Sequence, residues 1–275
     1  MVLFNWTEKI NLLSLLGQSS QQAKAQFRRG KEFYTKKQYK EAIQSFTQAI
    51  HFNHRHADAY TYRARAYFRL NKYQEALRDC QQGLELNSKD AMAYATRAGI
   101  YFKLGNYQKA LYDTNQAIAL DPHLTKAYYY RGIIYCQLKA YEAAVPDFSQ
   151  VIRANPYLTE AYYNRGVARF YTGNIEGAID DYNSTLASNP KYARAYYNRG
   201  LAKAKLGKDE EAFADWRHAA DLFLSMGQNS AYQKAIKRMK SSHVHETKRR
   251  QKFPYHVEQG VEHMEVDEIA SGLLS

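Results

Sequence analysis

Along most of the chain the apolar positions fall three and four residues apart, in runs of about a dozen residues separated by short polar stretches. Ala110, Leu111, Thr114, Ala117 and Ile118 show the spacing, which draws one apolar stripe on a helix of 3.6 residues per turn. Leu104-Gly-Asn-Tyr107 has the character of a turn between two such runs. Asp121-Pro122, Asn155-Pro156 and Asn189-Pro190 predict helix ends, because proline disfavours helical geometry in the residue before it. Only five prolines and 14 glycines occur in 275 residues, which argues against a turn-rich β fold. No run of 18 apolar residues exists, so the sequence predicts no membrane-spanning helix. An all-α fold is the expectation.

The runs repeat. Segments 23–56, 57–90, 91–124, 125–158, 159–192 and 193–226 align at a spacing of 34 without insertion or deletion. Position 7 is always arginine (Arg29, Arg63, Arg97, Arg131, Arg165, Arg199), and position 20 is always alanine. Position 8 is always small, as in Gly30, Ala64, Gly166 and Gly200. Each unit reads as a helix over about positions 2–14, a turn at 15 and 16, and a second helix. Small residues at 8 and 20 are what two helices need to approach closely.

This 34-residue pattern resembles the tetratricopeptide repeat. Beside the small position 8 and Ala at 20, aromatics stand at position 11 (Tyr67, Tyr101, Tyr135) and position 24 (Phe46, Phe148, Tyr182, Trp216), and proline at 32. The departures are Arg169 and Lys203 at position 11, and Cys80 and Thr114 at 24. The resemblance implies an α-α superhelix whose concave groove is lined by the first helices of the units. A solenoid has to cover its ends. Residues 227–240, with Ala231, Tyr232, Ala235, Ile236 and Met239 on one stripe, are expected to form a capping helix, and 241–275 an unfolded tail. Residues 1–22 are expected to be an amphipathic segment, with Leu3, Trp6, Ile10 and Leu13 on one face, serving as a cap before any peripheral membrane contact.

Two columns are expected to cancel each other. Asp79, Asp113, Asp147, Asp181 and Asp215 stand at position 23, as far beyond the turn as the arginines of position 7 lie before it. A ladder of Arg–Asp pairs follows, with Arg29 left over because Ser45 occupies position 23 of its unit. The tyrosines of positions 4 and 11 recur with the period and read as packing.

Positions 2, 5, 6, 9, 12 and 13 face elsewhere, and their content varies from unit to unit as a ligand surface would. The candidate groove residues are Lys24, Arg28, Lys31, Arg65, Arg69, Lys103 and Lys126, then Tyr129, Tyr130, Tyr163, Asn164, Tyr197 and Asn198. With Arg194 and Lys205 the groove counts nine basic residues against Asp58 and Glu160. Basic side chains attract an acidic segment, asparagine amides hydrogen-bond an extended backbone, and tyrosine suits interfaces. The whole chain carries a formal charge of +12, which fits an acidic partner.

The function expected is therefore a non-catalytic adaptor or complex-assembly scaffold that binds a protein or peptide, with single-stranded RNA binding as the rival. Some members of the family with first helices like Tyr162–Gly166 and Tyr196–Gly200 assist assembly of membrane or photosynthetic complexes. Others clamp the acidic C-termini of chaperones with lysine at position 5 and asparagine at 9. No unit here supplies that pair, so chaperone binding of that kind is not expected.

No phosphate loop, nucleophile motif or metal-ligand quartet is present, and no cofactor or metal is expected. His51, His54 and His56 cluster without a carboxylate partner. Two cysteines, Cys80 and Cys136, and no evident secretory signal suggest a reducing, cytoplasmic setting. Lys234 to Lys252 holds eight basic residues and one acidic, whereas 253–275 holds five acidic and none basic. That acidic stretch is a candidate to visit the basic groove and compete with partners.

Overall fold

The computed structural model describes residues 6–250, and side chains over 17–242. Among these residues thirteen helices follow one another without a strand. They are α1 (Trp6–Thr35), α2 (Tyr39–Phe52), α3 (Ala57–Arg69), α4 (Tyr73–Leu86), α5 (Ala91–Lys103), α6 (Tyr107–Leu120) and α7 (Thr125–Gln137). Then come α8 (Tyr141–Ala154), α9 (Thr159–Tyr171), α10 (Ile175–Ser188), α11 (Ala193–Lys205), α12 (Asp209–Ser225) and α13 (Asn229–Arg250). Two compact units divide the chain, one ending at Ile134 and the other beginning at Tyr135. Within each, most consecutive helices pack against one another, the two helices of a repeat most extensively.

The turns repeat as strictly as the helices. The residue at position 15 lies in the left-handed region in every repeat: Gly105, Gly173 and Gly207, but also Lys37, Asn71 and Lys139, at φ between 57° and 59°. At position 31 the side-chain oxygens of Asn53, Asn87, Asp121, Asn155 and Asn189 accept the amide two residues on. Asn53 and Asn87 are as extended as their counterparts, although no proline follows them. The Asx turn, rather than proline, fixes the end of the second helix in the first five repeats, whereas α12 runs on to Ser225.

The small position 8 has a sharper cause than close helices. A Cβ on Gly30 would lie 2.5 Å from Phe46 Cε1, on Gly166 2.8 Å from Tyr182 Cε1, and on Gly200 2.6 Å from Trp216 Nε1. Glycine therefore makes room for the aromatic at position 24. Where position 24 is small (Cys80, Thr114), position 8 is alanine (Ala64, Ala98). The two departures at position 24 and the choice between Gly and Ala are one feature.

At the ends, α1 runs unbroken across residue 22, so the N-terminal segment continues into the first helix of the first repeat. Phe223 and Ala219 of α12 pack against Ala231 and Tyr232 of α13, and Ala235 is fully buried. That helix continues to Arg250, past Lys240, so residues 241–250 are helical where the sequence suggests an unfolded tail. Residues 251–275, with the acidic stretch, lie outside the described residues. Pro146 sits inside α8 without breaking it; early in a helix its missing donor costs little.

Candidate functional site

Four of the recurring arginines pair with the recurring aspartates inside their hairpins. Arg63 donates through Nε and Nη2 to Asp79 at 2.7 and 2.8 Å, Arg97 to Asp113 at 2.8 Å twice, and Arg199 to Asp215 at 2.9 and 2.7 Å. Arg165 makes the same fork to Asp181. The remaining Nη1 reaches back sixteen residues, to Thr47 from Arg63, Asn115 from Arg131, Ser149 from Arg165 and Asn183 from Arg199. Each arginine so ties its own hairpin to the second helix before it. Arg63, Arg97, Arg131, Arg165 and Arg199 also lie 5.3–5.7 Å from the tyrosine three residues earlier. Positions 4, 7 and 23 are thus one structural element. The departures at position 11 join it: Arg169 pairs with Asp181 at 2.9 Å, and Lys203 with Asp215 at 2.9 Å. Burial pushes the Asp79 and Asp181 carboxyls up, and the facing guanidinium pulls them back. Arg29, without an aspartate opposite, is exposed and lies over Phe33.

The variable positions divide by burial. In the first unit Lys24, Arg28 and Lys31 are exposed along α1, and Lys103 is exposed at the end of α5. Tyr129 is buried. In the second unit Tyr163 and Asn164 are fully buried and Asn198 nearly so. Asn198 Nδ2 donates to the Tyr163 hydroxyl at 2.9 Å, and the Tyr163 ring lies 4.9 Å from Tyr192. Tyr197 is half-buried, and its carbonyl accepts from Trp216 Nε1. Tyr163, Asn164 and Asn198 are thus parts of the core in the second unit, and the asparagine amide that the sequence offers to a peptide is already bonded. The reason is that α9 and α11 approach closely enough for positions 5 and 6 to meet the next repeat.

What the structure does bring together lies in the first unit. Arg65 and Arg69 of α3 and Lys126 and Tyr130 of α7 converge. Arg65 stands with its guanidinium carbon 4.8 Å from the Tyr34 ring centre and 4.6 Å from that of Tyr62, so aromatic rings cover it. Arg69 lies over Tyr39. Arg65 is 9% exposed, Lys126 8% and Tyr130 1%. Buried Arg65 Nε and the Tyr130 hydroxyl make no hydrogen bond. Tyr130 reaches the cluster across α5 at Gly99, where a Cβ would stand 2.7 Å from its Cζ.

The charges are all of one sign. Burial, with Arg65 and Arg69 adding to it, lowers the Lys126 ammonium from its ordinary 10.5 to about 7. Burial likewise pushes the Tyr130 phenol up, against the pull of both arginines, so it stays protonated and able to donate. Tyr34, Tyr62 and Gly99, at positions 12, 6 and 9 of their repeats, escape the sequence-based selection although they occupy the same variable columns.

No group of three His, Cys, Asp or Glu among the described residues is placed to hold a metal. The rings of His51 and His54 meet near perpendicular at 6.4 Å, while His56 packs on Phe27 at 4.7 Å and its pKa is lowered by burial. Cys80 and Cys136 are buried and their thiols pushed up by burial, Cys136 to about 12, which leaves little thiolate for chemistry. No described helix is long and apolar enough to cross a membrane.

Comparison with known proteins agrees with the repeat geometry. Tetratricopeptide repeat models match residues 57–90, 91–124 and 193–227, and a TPR repeat model matches 30–71 and 168–207. Together they span more than half of the chain. The chain belongs to the tetratricopeptide repeat family. That family consists typically of non-catalytic scaffolds for protein interaction, and the chain is an interaction scaffold in that general sense. A search of the curated proteins finds no match.

Among solved structures, YrrB, described as a tetratricopeptide protein with an unusual peptide-binding site, is 24% identical at a TM-score of 0.62, over 71% of this chain and 99% of its own. MamA is 22% identical at 0.54, over 59% and 95%. A tetratricopeptide repeat protein from Parabacteroides merdae is 22% identical at 0.57, over 81% and 93%. At these identities the likeness is one of fold.

Proposed function

We propose that this tetratricopeptide repeat protein is a non-catalytic adaptor that binds an acidic protein segment along the first helices of its first unit. One observation carries the reading. Arg63, Arg97, Arg165 and Arg199 each pair with an aspartate inside their own hairpins, whereas Arg65 and Arg69 of α3 lie against tyrosine rings with Lys126 of α7 beside them, and Lys24, Arg28 and Lys31 of α1 are exposed. Lys24, Arg28 and Lys31 draw a negatively charged chain in, and the tyrosines beside Arg65 give it apolar contact with a polar edge. YrrB, of the same fold, is described as having a peptide-binding site, which supports the reading without carrying it.

The test uses the full chain and fluorescein-labelled hexaglutamate, blocked at both termini, read by anisotropy at low salt. Binding is expected, and Lys24→Glu/Arg28→Glu/Lys31→Glu, all exposed changes, is expected to weaken it at least tenfold. Unchanged binding by the triple variant overturns the reading. So does tighter binding of a single-stranded oligouridylate with a steep salt dependence, the signature of phosphate-backbone contact.

A further inference from the structure

We infer that Lys126 is a carbamylation site: its side-chain amine takes up carbon dioxide, and Arg65 and Tyr130 hold the carbamate so formed. The inference stands apart from the binding of a segment, because it concerns the fate of Lys126 in the free protein. Cations held away from water cost free energy unless an anion or a set of acceptors meets them. Elsewhere the chain obeys this rule closely: Asp113, 1% exposed, receives two bonds from Arg97, and Asp181 receives both Arg165 and Arg169. Among the described residues the charges that act on Lys126 are Arg65 and Arg69, both positive. Tyr130 stands one turn on in α7, Tyr34 and Tyr62 bring rings from α1 and α3, and α5 contributes Gly99. None of these is an acid. Loss of the lysine's proton does not meet the need, for Arg65 Nε and the Tyr130 hydroxyl still have no acceptor.

A neutral amine can make the missing anion in place. Its lone pair forms a bond to the carbon of carbon dioxide, one carbon–oxygen π pair moves onto oxygen, and the nitrogen releases one proton to solvent. An amine and carbon dioxide thus become a carbamate and a proton, with nothing oxidised or reduced. The step needs a free amine, and burial, with Arg65 and Arg69 adding to it, lowers the Lys126 ammonium to about 7. A lysine desolvated next to other cations is a nucleophile at neutral pH. Carbon dioxide, small and uncharged, enters a buried site without the desolvation cost of an ion. The negative charge of the product suits the two arginines, and its two oxygens give Arg65 Nε and the Tyr130 hydroxyl the acceptors they lack. The rings over Arg65 leave its guanidinium edge for that purpose. Among the described lysines only Lys203 is also drawn in from solvent, and Asp215 at 2.9 Å favours its ammonium form.

The experiment incubates the full chain at pH 8 with 13C-labelled bicarbonate, which supplies carbon dioxide. The carbamate is trapped as its ethyl ester with triethyloxonium, and peptide mass spectrometry reads its position. Labelling of Lys126 is expected to exceed that of exposed Lys24, and that of Lys203, at least tenfold. In the 13C spectrum the main carbamate resonance is expected to vanish in Lys126→Met and to fall at least tenfold in Arg65→Met, both shown folded by thermal melts. Bicarbonate at constant ionic strength is expected to raise the melting point of the unsubstituted chain and not that of Lys126→Met, because a modification confined to the folded state stabilises it. Lys126 labelled no more than Lys24, or no trapped carbamate at all, overturns the inference, and neither result depends on how a variant folds. A carbamate on Lys126 that Arg65→Met leaves at its full level overturns the role given to Arg65.

Discussion

Replacing Lys126 with methionine keeps most of the stem and removes the charge. In the folded chain the ammonium titrates at about 7 against an ordinary 10.5. Holding it protonated at pH 7 therefore costs up to about 4 kcal/mol relative to the unfolded chain. Exchange of buried ionic groups for apolar ones of similar volume stabilises proteins by about 1–4 kcal/mol. Lys126→Met is expected to gain within that range, raising the melting point by several degrees, since each kcal/mol moves a domain of this size by roughly 2–4 °C. The sign with pH follows from the lowered value. Above pH 7 the unfolded chain binds the proton that the folded chain has released, so the unsubstituted protein gains stability as pH rises. From pH 7 to 8.5 that gain is about 1.5 kcal/mol, and the variant lacks it. Differential scanning calorimetry of both proteins across this window, with hydrogen exchange along α7 to locate the effect, checks the reasoning. A variant that melts lower at pH 7, or a difference that does not shrink toward pH 8.5, refutes it.

Arg97→Ala strips Asp113 of both its ladder bonds and is expected to destabilise by about 3–5 kcal/mol; Arg165→Ala leaves Asp181 with Arg169 and costs about 1–2 kcal/mol less, by urea denaturation. Gly166→Ala forces a Cβ to 2.8 Å from Tyr182 Cε1 and costs about 1–3 kcal/mol. Adding Tyr182→Cys, the partner that Ala64 has in Cys80, is expected to make the pair at least about 1 kcal/mol better than additive, and additivity refutes the coupling. Lys37→Gly relieves a non-glycine residue at φ 59° and is expected to raise the melting point by an amount equal to about 0.5–1 kcal/mol; a lower melting point shows that the lysine side chain is tied down.

The family and the hairpins were legible because the constraints recur. An arginine with an aspartate sixteen residues on in one repeat has one in the next, and six arginines facing five aspartates make the columns plain. The burial of Tyr163 and Asn198 is not legible in the sequence, for the opposite reason. Their burial depends on how closely α9 meets α11, a distance that no spacing along the chain encodes. The covering of Arg65 was within reach, since Tyr34 and Tyr62 stand in the same variable columns as the residues selected. Which of those columns converge depends on the stacking of α1, α3 and α7, and only three dimensions show it. Gly99 was hidden more deeply. It reads as an ordinary small residue until Tyr130 is seen to pass over it.

Because Arg63, Arg165 and Arg199 each grasp one residue sixteen ahead and another sixteen behind, their grip is blind to which copy of the module supplies them. Excising 34 residues from 159 to 192 would hand Arg199 the serine that Arg165 now holds and leave its own aspartate untouched. A cut of 33 or 35 would leave that aspartate in place but put the serine one residue out of register with Arg199 Nη1. Unequal recombination in whole modules is therefore the cheapest large change open to the gene, and growth or shrinkage of the array need not disturb the cationic cluster at its other end.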